Sequence, residues 1–456
     1  MPTPKYQFTE SLKQYTDLYE AHSQLIAEHS PAFMNACRKA AFAGLCDNGL
    51  PTRKVERYKY TNVDAALAPD YGLNLHRIKA DQDPYKGHLC SVPHMSTSQY
   101  YVTGDVVADP TGRASFLGDG VFVLPFARAQ VEYPDLISHY YNKLAGKTYD
   151  AISALNSLFV QDGLLIYVKS GVKAECPIQI VNIPSAGADM MFNRRLLIVA
   201  EADSECSIIY CDNADSKHRY LSTQVIEVFC EKNSQVDFYG IEETRSGNTR
   251  FNNLYVEQQA GSRFSLNDMT LHNGITRNVT DISLVGEGAK TELNGAGIVD
   301  GDKRIDTNIL VDHLVSNCES TMLYKNVLNE HSVGAFAGKV LVREGAVKTL
   351  SEQINANLCA GNDARAYSQP MLEIYADDVK CNHGSTVGKL DEMALFYMRQ
   401  RGIEEAEARL LLQHAFLNDV IDHVRLDALR DRLSFLVDQR FRGRMAKDCH
   451  GCSLCS

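Results

Sequence analysis

The sequence predicts a mainly β chain: a long β-solenoid flanked by helical regions at both ends. Three observations carry that expectation. Between about residues 155 and 380, short apolar or alternating runs follow one another with turn residues between them. No long helical pattern is sustained across that stretch. Outside it, apolar residues recur at spacings of three and four, the period of a helix with one buried face.

In chain order, Leu12, Tyr15, Tyr19, His22 and Ile26 fall on one helical face. Ser30-Pro31 offers an N-cap with proline in the first turn of a second helix, behind which Phe33, Cys37, Ala40 and Ala41 continue a buried face. From Tyr58 to Gly146 the pattern is mixed. Tyr100–Val102 and Val121–Leu124 read as strands and Leu136 to Leu144 as a helix. The β stretch opens with Leu164 to Val168 and Ile178 to Ile183 and closes with Val340 to Val342 and Leu372 to Tyr375, punctuated by glycines such as Gly171, Gly261, Gly288 and Gly345. A sandwich, a barrel and a solenoid all fit many short strands. The solenoid suits the length best, although no strict sequence repeat is visible. Past Lys380, Asp391 caps a helix ending at Gly402. Ala408, Leu411, Leu412, Ala415, Phe416 and Val420 line a second helix, and Leu429, Leu433 and Leu436 a third. The expected organisation is residues 1–150 helical and mixed, 151–385 β core, 386–443 helical, and 444–456 a Cys-rich tail.

Composition narrows the function classes. Lys and Arg number 46 against 57 Asp and Glu, a net charge of −11, with no basic stretch to bind nucleic acid. No apolar run approaches the ~18 residues of a membrane span. The N-terminus lacks a charged region followed by an apolar one, so a cytoplasmic location is expected and the 13 cysteines read as thiols or metal ligands. Tryptophan is absent.

Nucleotide loops fail on inspection. Gly146-Lys147-Thr148 resembles the end of a P-loop, but Tyr141 stands where its first glycine belongs. Neither Gly286-x-Gly288 nor Gly295-x-Gly297 has the third glycine of a dinucleotide fingerprint, and no G-x-S-x-G or H-E-x-x-H occurs. The informative segment runs from Leu372 to Gly384. If a strand continues through it, Cys381 and His383 project from the same side. A thiolate and an imidazole are a pair of ligands for iron or zinc, yet a closed site needs four. On the motif alone, a buried cysteine beside a hydrogen-bonded histidine is the plainer reading. His313 is a possible second ligand, with a satisfied structural role preferred. Cys176, Cys206, Cys211, Cys230 and Cys318 read as small buried hydrophobes. In the tail, Cys449, Cys452 and Cys455 reproduce three of the four ligands of a cluster-binding run, against the alternative of a mobile terminus with inert thiols.

The segment Lys380-Cys381-Asn382-His383-Gly384-Ser385-Thr386 resembles the K-C-S-H-G-A-T motif of the SufB/SufD family of iron–sulfur cluster assembly proteins, with Asn382 and Ser385 in place of Ser and Ala. Asp306-Thr307, His313, Cys318-x-Ser320, Tyr324-Lys325-x-Val327-Leu328, Phe336-x-Gly338-Lys339, Gln353-x-Asn355-x-Asn357-Leu358 and Leu395-Phe396-Tyr397-x-Arg399-x-Arg401-Gly402-Ile403 extend the likeness. Glu56-x-Tyr58-Lys59-Tyr60-Thr61 is similar to the family's E-x-W-K-Y-T, and the overall pattern is closer to the SufD branch than to SufB. The resemblance implies a right-handed parallel β-helix between helical domains and a non-catalytic scaffold. It implies pairing with a SufB-like paralogue and a SufC-like ATPase that docks on the C-terminal helices, where Leu395, Tyr397, Arg399, Arg401 and Gly402 lie. It places His383, with Cys381, at the partner interface, where iron or a nascent cluster is held transiently and no cofactor is tightly bound. The tail is an addition to the family pattern. A solenoid edge left without its partner should self-associate, so the isolated chain is expected to be a homodimer. The rival readings are a β-helix carbohydrate-active enzyme and a stand-alone metal-binding protein using the tail.

Overall fold

The structure, a computed structural model, describes residues 4–79, 84–87, 92–108, 117–184, 187–213 and 218–443. Its body is a parallel β-solenoid of about 8 turns, each turn giving one strand to each of two sheets. The first sheet runs, from the late end, through Arg365–Ile374, Val333–Val342, Arg304–His313, Ile275–Leu284, Thr249–Gln258, Tyr220–Cys230, Met190–Ala200, Leu164–Val168 and Val121–Pro125. The second runs through Val379–Gly388, Thr349–Cys359, Glu319–Leu328, Lys290–Val299, Arg263–His272, Gln235–Glu243, Glu205–Asn213, Ile178–Ile183, Ser98–Thr103 and Val106–Val107. Successive turns stack in register, Leu266 on Leu293 and Leu293 on Met322. A turn takes about 30 residues, a solenoid period. The period leaves no motif because an inward position accepts any apolar side chain that fills it.

The stretch read as mixed supplies the first end of the solenoid. Val121–Pro125 pairs antiparallel with Leu164–Val168, and Ser98–Thr103 adds parallel to Ile178–Ile183 before turning back through Val106–Val107. The predicted helix from Leu136 forms as Pro134–Tyr140.

Burial tracks what covers each strand. Tyr220–Cys230 is buried at every position, because its outer face lies under helix Ala151–Phe159, itself buried throughout. Thr349–Cys359, uncovered on its outer face over the first half, alternates buried and exposed. Two helices, Glu10–Glu28 and Ala32–Asn48, complete the N-terminal layer. Ser30 does not cap the second of them: its hydroxyl donates to the Ile26 carbonyl at 2.6 Å and accepts from Arg38, and Pro31 occupies the cap position. That helix buries Met34, Arg38 and Leu45, with Phe33 and Cys37 partly covered and Ala40 exposed. Arg38 is inside because it donates to the carbonyls of Ser157, Leu158 and Val160 at 2.8, 2.5 and 2.8 Å, satisfying the orphan end of helix Ala151–Phe159.

The Glu56–Thr61 motif fastens this layer to the first sheet. Arg57 pairs with Asp281, Tyr58 donates to Asp150, and Thr61 donates to Asp306 at 2.5 Å. Tyr60 stacks on Tyr367, ring centroids 4.6 Å apart. The P-loop-like stretch does cradle an anion, but one of the chain's own. The backbone N–H groups of Asn142, Leu144 and Ala145 donate to the Glu227 carboxylate, which also pairs with Arg195 at 2.9 Å in a fully buried contact.

At the other end of the chain, Asp391 caps Glu392–Gln400 as expected, followed by Glu405–Ile421 and Asp427–Phe441. The second of these turns Ala408, Leu417, Val420 and Ile421 inward, and leaves Leu411 exposed. Together with Leu429, Leu433 and Leu436 they pack on the outer face of the second sheet against Tyr239, Met269 and Ile298. Ion pairs pin the join: Lys325 with Asp419, and Arg425 with Asp237 and Glu292 at 2.8 and 2.9 Å.

Beside its apolar core, the interior of the early turns carries charge. Arg194 and Arg250 each pair with Asp212 at 2.8 Å, and Arg250 also reaches Glu242 at 3.2 Å, all almost fully buried. Removing one member strands the others. Arg250→Met should therefore cost about 3–5 kcal/mol, read as a lowered urea midpoint; a loss below about 1 kcal/mol contradicts the network's role.

Candidate functional site

Strand Val379–Gly388 runs through the informative segment, so Cys381 and His383 do share a face, about 6.6 Å apart along the strand. That face is the inward one. Cys381 packs against the main core, and Ser385, two residues past His383, meets Ser368 of the opposite sheet at 2.7 Å. The register then shows what each residue continues. One inward column runs Ile178, Ile208, Phe238, Leu266, Leu293, Met322, Gln353, His383. Its neighbour runs Cys206, Val236, Phe264, Thr291, Ser320, Ser351, Cys381. The core columns turn polar in the last turns and end on the candidate ligands.

They end at an open edge. Among the described residues, Val379–Gly388 and Arg365–Ile374 each pair on one side only. The edge carries exposed apolar side chains, Ile374, Tyr375 and Val387, beside exposed His383. Two ten-residue edge strands, each with one side unpaired among the described residues and with apolar groups exposed, are a template for another chain.

The donors differ in their surroundings. Cys381 is partly buried, and burial pushes its thiol above the usual range. A thiolate there forms when a bound cation displaces the thiol proton, which leaves to a base or to water. Among the described residues, no group of three or more His, Cys, Asp or Glu is arranged to hold a metal ion. The pair supplies half of a four-ligand set.

His313 is inside the solenoid, its Nε2 2.9 Å from Ser320 Oγ, which in turn meets Ser351 Oγ at 2.8 Å. Only Nε2 meets the expected satisfied role, since the buried Nδ1 has no hydrogen-bond partner among the described residues. Cys206, Cys211, Cys230 and Cys318 are buried as expected, Cys176 only partly, and burial pushes the Cys206 thiol up to about 12. Cys449, Cys452 and Cys455 lie outside the described residues.

The expected docking residues divide by exposure. Leu395 is 3 % exposed and holds its helix in place, whereas Tyr397 is 59 % exposed. Arg401 lies over the Tyr397 ring at 5.0 Å and donates to its hydroxyl at 2.8 Å, and Arg399 pairs with Glu405 at 3.3 Å. Gly402, at φ +83°, ends the helix through bonds from its own N–H to Arg399 and from Ile403 to Met398. Phe396, Leu411, which the spacing put on the lined face of its helix, and Met393, which the sequence reading did not single out, add exposed apolar surface. Four polar residues, Ser351, Gln353, Asn355 and Asn357, also point inward while Leu350 and Ile354 face out. Alternation with polar residues on the buried side was the legible sign of them.

Burial lowers the His313 pKa to about 4. The unfolded chain therefore binds its proton first, and stability falls as pH drops from about 6.5 towards 4. The thermal midpoint should decline across that window, less steeply in His313→Gln; identical slopes contradict this.

The family model for the SUF system FeS cluster assembly SufBD core domain matches residues 182–416, and that for the SufBD protein N-terminal region matches 9–180. The chain is 26% identical over 439 residues to the iron–sulfur cluster assembly protein SufD of Escherichia coli, covering 95% of this chain and 97% of that one. It is 26% identical over 340 residues to SufD of Bacillus subtilis, covering 71% and 74%. An iron–sulfur cluster assembly SufBD family protein of Synechocystis is 27% identical over 406 residues, covering 86% and 87%.

Proposed function

This chain belongs to the SufBD family of iron–sulfur cluster assembly proteins, and from that premise we propose that it is a non-catalytic scaffold subunit that pairs with a SufB-like protein and is driven by a SufC-like ATPase. One observation carries the reading: the open edge of the solenoid presents Cys381 and His383 on a single face. An edge that lacks a partner strand and a site that lacks two ligands are completed by the same event, the arrival of a second chain. In the isolated protein a second copy fills that place, its edge strand running antiparallel across a two-fold axis.

Iron or a nascent cluster is the cargo of such a site. The imidazole of His383 and the thiolate of Cys381 donate to it, and the thiol proton leaves as the metal binds. Because each chain holds half of the ligands, parting the chains releases the cargo. The force for parting comes from outside, since the one P-loop-like stretch is filled by Glu227. The exposed surface of Met393, Phe396 and Tyr397 is where the ATPase docks. A push there passes through the helices pinned at Lys325–Asp419 into Glu319–Leu328, two strands from Val379–Gly388. The tail cysteines are an accessory in this scheme, available for metal or sulfur handling.

Co-purification with the SufB-like and SufC-like proteins of the same cell tests this. Wild type should form the three-component complex and His383→Ala should assemble but lose cluster formation. Val387→Lys, a charge on the exposed edge, should abolish both the complex and the homodimer. A complex that forms equally well with Val387→Lys contradicts the edge assignment; normal cluster formation by His383→Ala contradicts the site.

A further inference from the structure

We propose that Gln353 is a second residue of the His383 site: its side-chain amide accepts a hydrogen bond from the His383 ring when that ring holds iron, and so fixes which ring nitrogen faces the ion. The inference rests on reading His383 as an iron ligand, and it concerns a residue that acts through that ligand.

Gln353 is the pairing partner of His383 on the neighbouring strand, and both face inward. It is 0 % exposed, and neither its Oε1 nor its Nε2 has a hydrogen-bond partner among the described residues. Its neighbours on the same row are satisfied. Ser351 meets Ser320, and Asn355 donates to the Tyr324 carbonyl at 3.1 Å while accepting from Ser368 at 2.6 Å. The opposite wall has been cut back to make room, since a Cβ on Gly338 would lie 1.8 Å from Gln353 Nε2.

The column shows what this position would otherwise hold. The two preceding turns place Leu293 and Met322 there. Methionine has nearly the volume of glutamine and no amide to desolvate, so an unpaired amide is the costlier filling. In-register neighbours stand about 4.8 Å apart, within reach of a side-chain hydrogen bond once the ring turns. A metal-bound histidine donates its other N–H to an oxygen acceptor, which fixes the tautomer and strengthens the ligand. Oε1 of Gln353 is such an acceptor, buried and unpaired on the strand that pairs with that of His383.

The test is an anaerobic Fe(II) titration of the chain purified with its SufB-like partner, in wild type, Gln353→Met and His383→Ala, alongside the thermal midpoint of each. Gln353→Met should melt at or above the wild-type temperature and bind Fe(II) about 10–100-fold more weakly, the usual effect of losing such a partner. Wild-type affinity in Gln353→Met, with weakened binding in His383→Ala, overturns the role of Gln353 and leaves the His383 reading standing. Undiminished binding in His383→Ala overturns both. A lower midpoint for Gln353→Met shows that the amide already has a structural partner, and also overturns the inference.

Discussion

Parallel pairing in register is the constraint on which the rest of this chain depends. Each turn is laid on the last so that Leu266 meets Leu293, Met322 meets Gln353 and Gln353 meets His383. A side chain is therefore judged by the column it continues. Where the column has a further turn above it, an apolar residue is the stable choice. Where it runs out, water or another chain becomes the neighbour, as at exposed His383; one turn below, Gln353 is buried and its unpaired amide carries a cost.

The two ends of the solenoid meet this constraint differently. At the first turn the sheets end on antiparallel strands, Val121–Pro125 and the short Val106–Val107. At the last turn both sheets stop bare, over an inner row of Ser351, Gln353, Asn355 and Asn357. That row is itself buried beneath Val379–Gly388, and the outward N–H and C=O groups of the last strands are free, among the described residues, to pair with another chain. Helices fixed to the second sheet by a shared core and by Lys325, Asp419 and Arg425 give that end a mechanical connection to the exposed surface of Glu392–Gln400.

Much of this was legible in the residues. Alternation marked the strands, spacings of three and four marked the helices, and Asp391 marked where the last domain begins. The face shared by Cys381 and His383 followed from strand periodicity. What stayed hidden depends on partners distant in sequence. Arg38 reads as a surface charge until the end of Ala151–Phe159 is brought to it. The Arg250–Asp212–Glu242 network joins strands from several turns. The solenoid period is carried by inward volume instead of by residue identity, so no repeat could be read. Ser30 looked like a cap, and only the fold shows its hydroxyl already engaged with Ile26 and Arg38.

In the proposed assembly, a second chain completes the site at the open edge. Hydrogen exchange measured by mass spectrometry, on the chain alone at high dilution and in complex with its SufB-like partner, tests it most directly. The account predicts that backbone N–H groups of Arg365–Ile374 and Val379–Gly388 gain protection in the complex, with the peptide spanning Cys381 to Ser385 among the most slowed. A complex that forms while exchange in both strands stays unchanged, with protection appearing on the N-terminal helices instead, contradicts it.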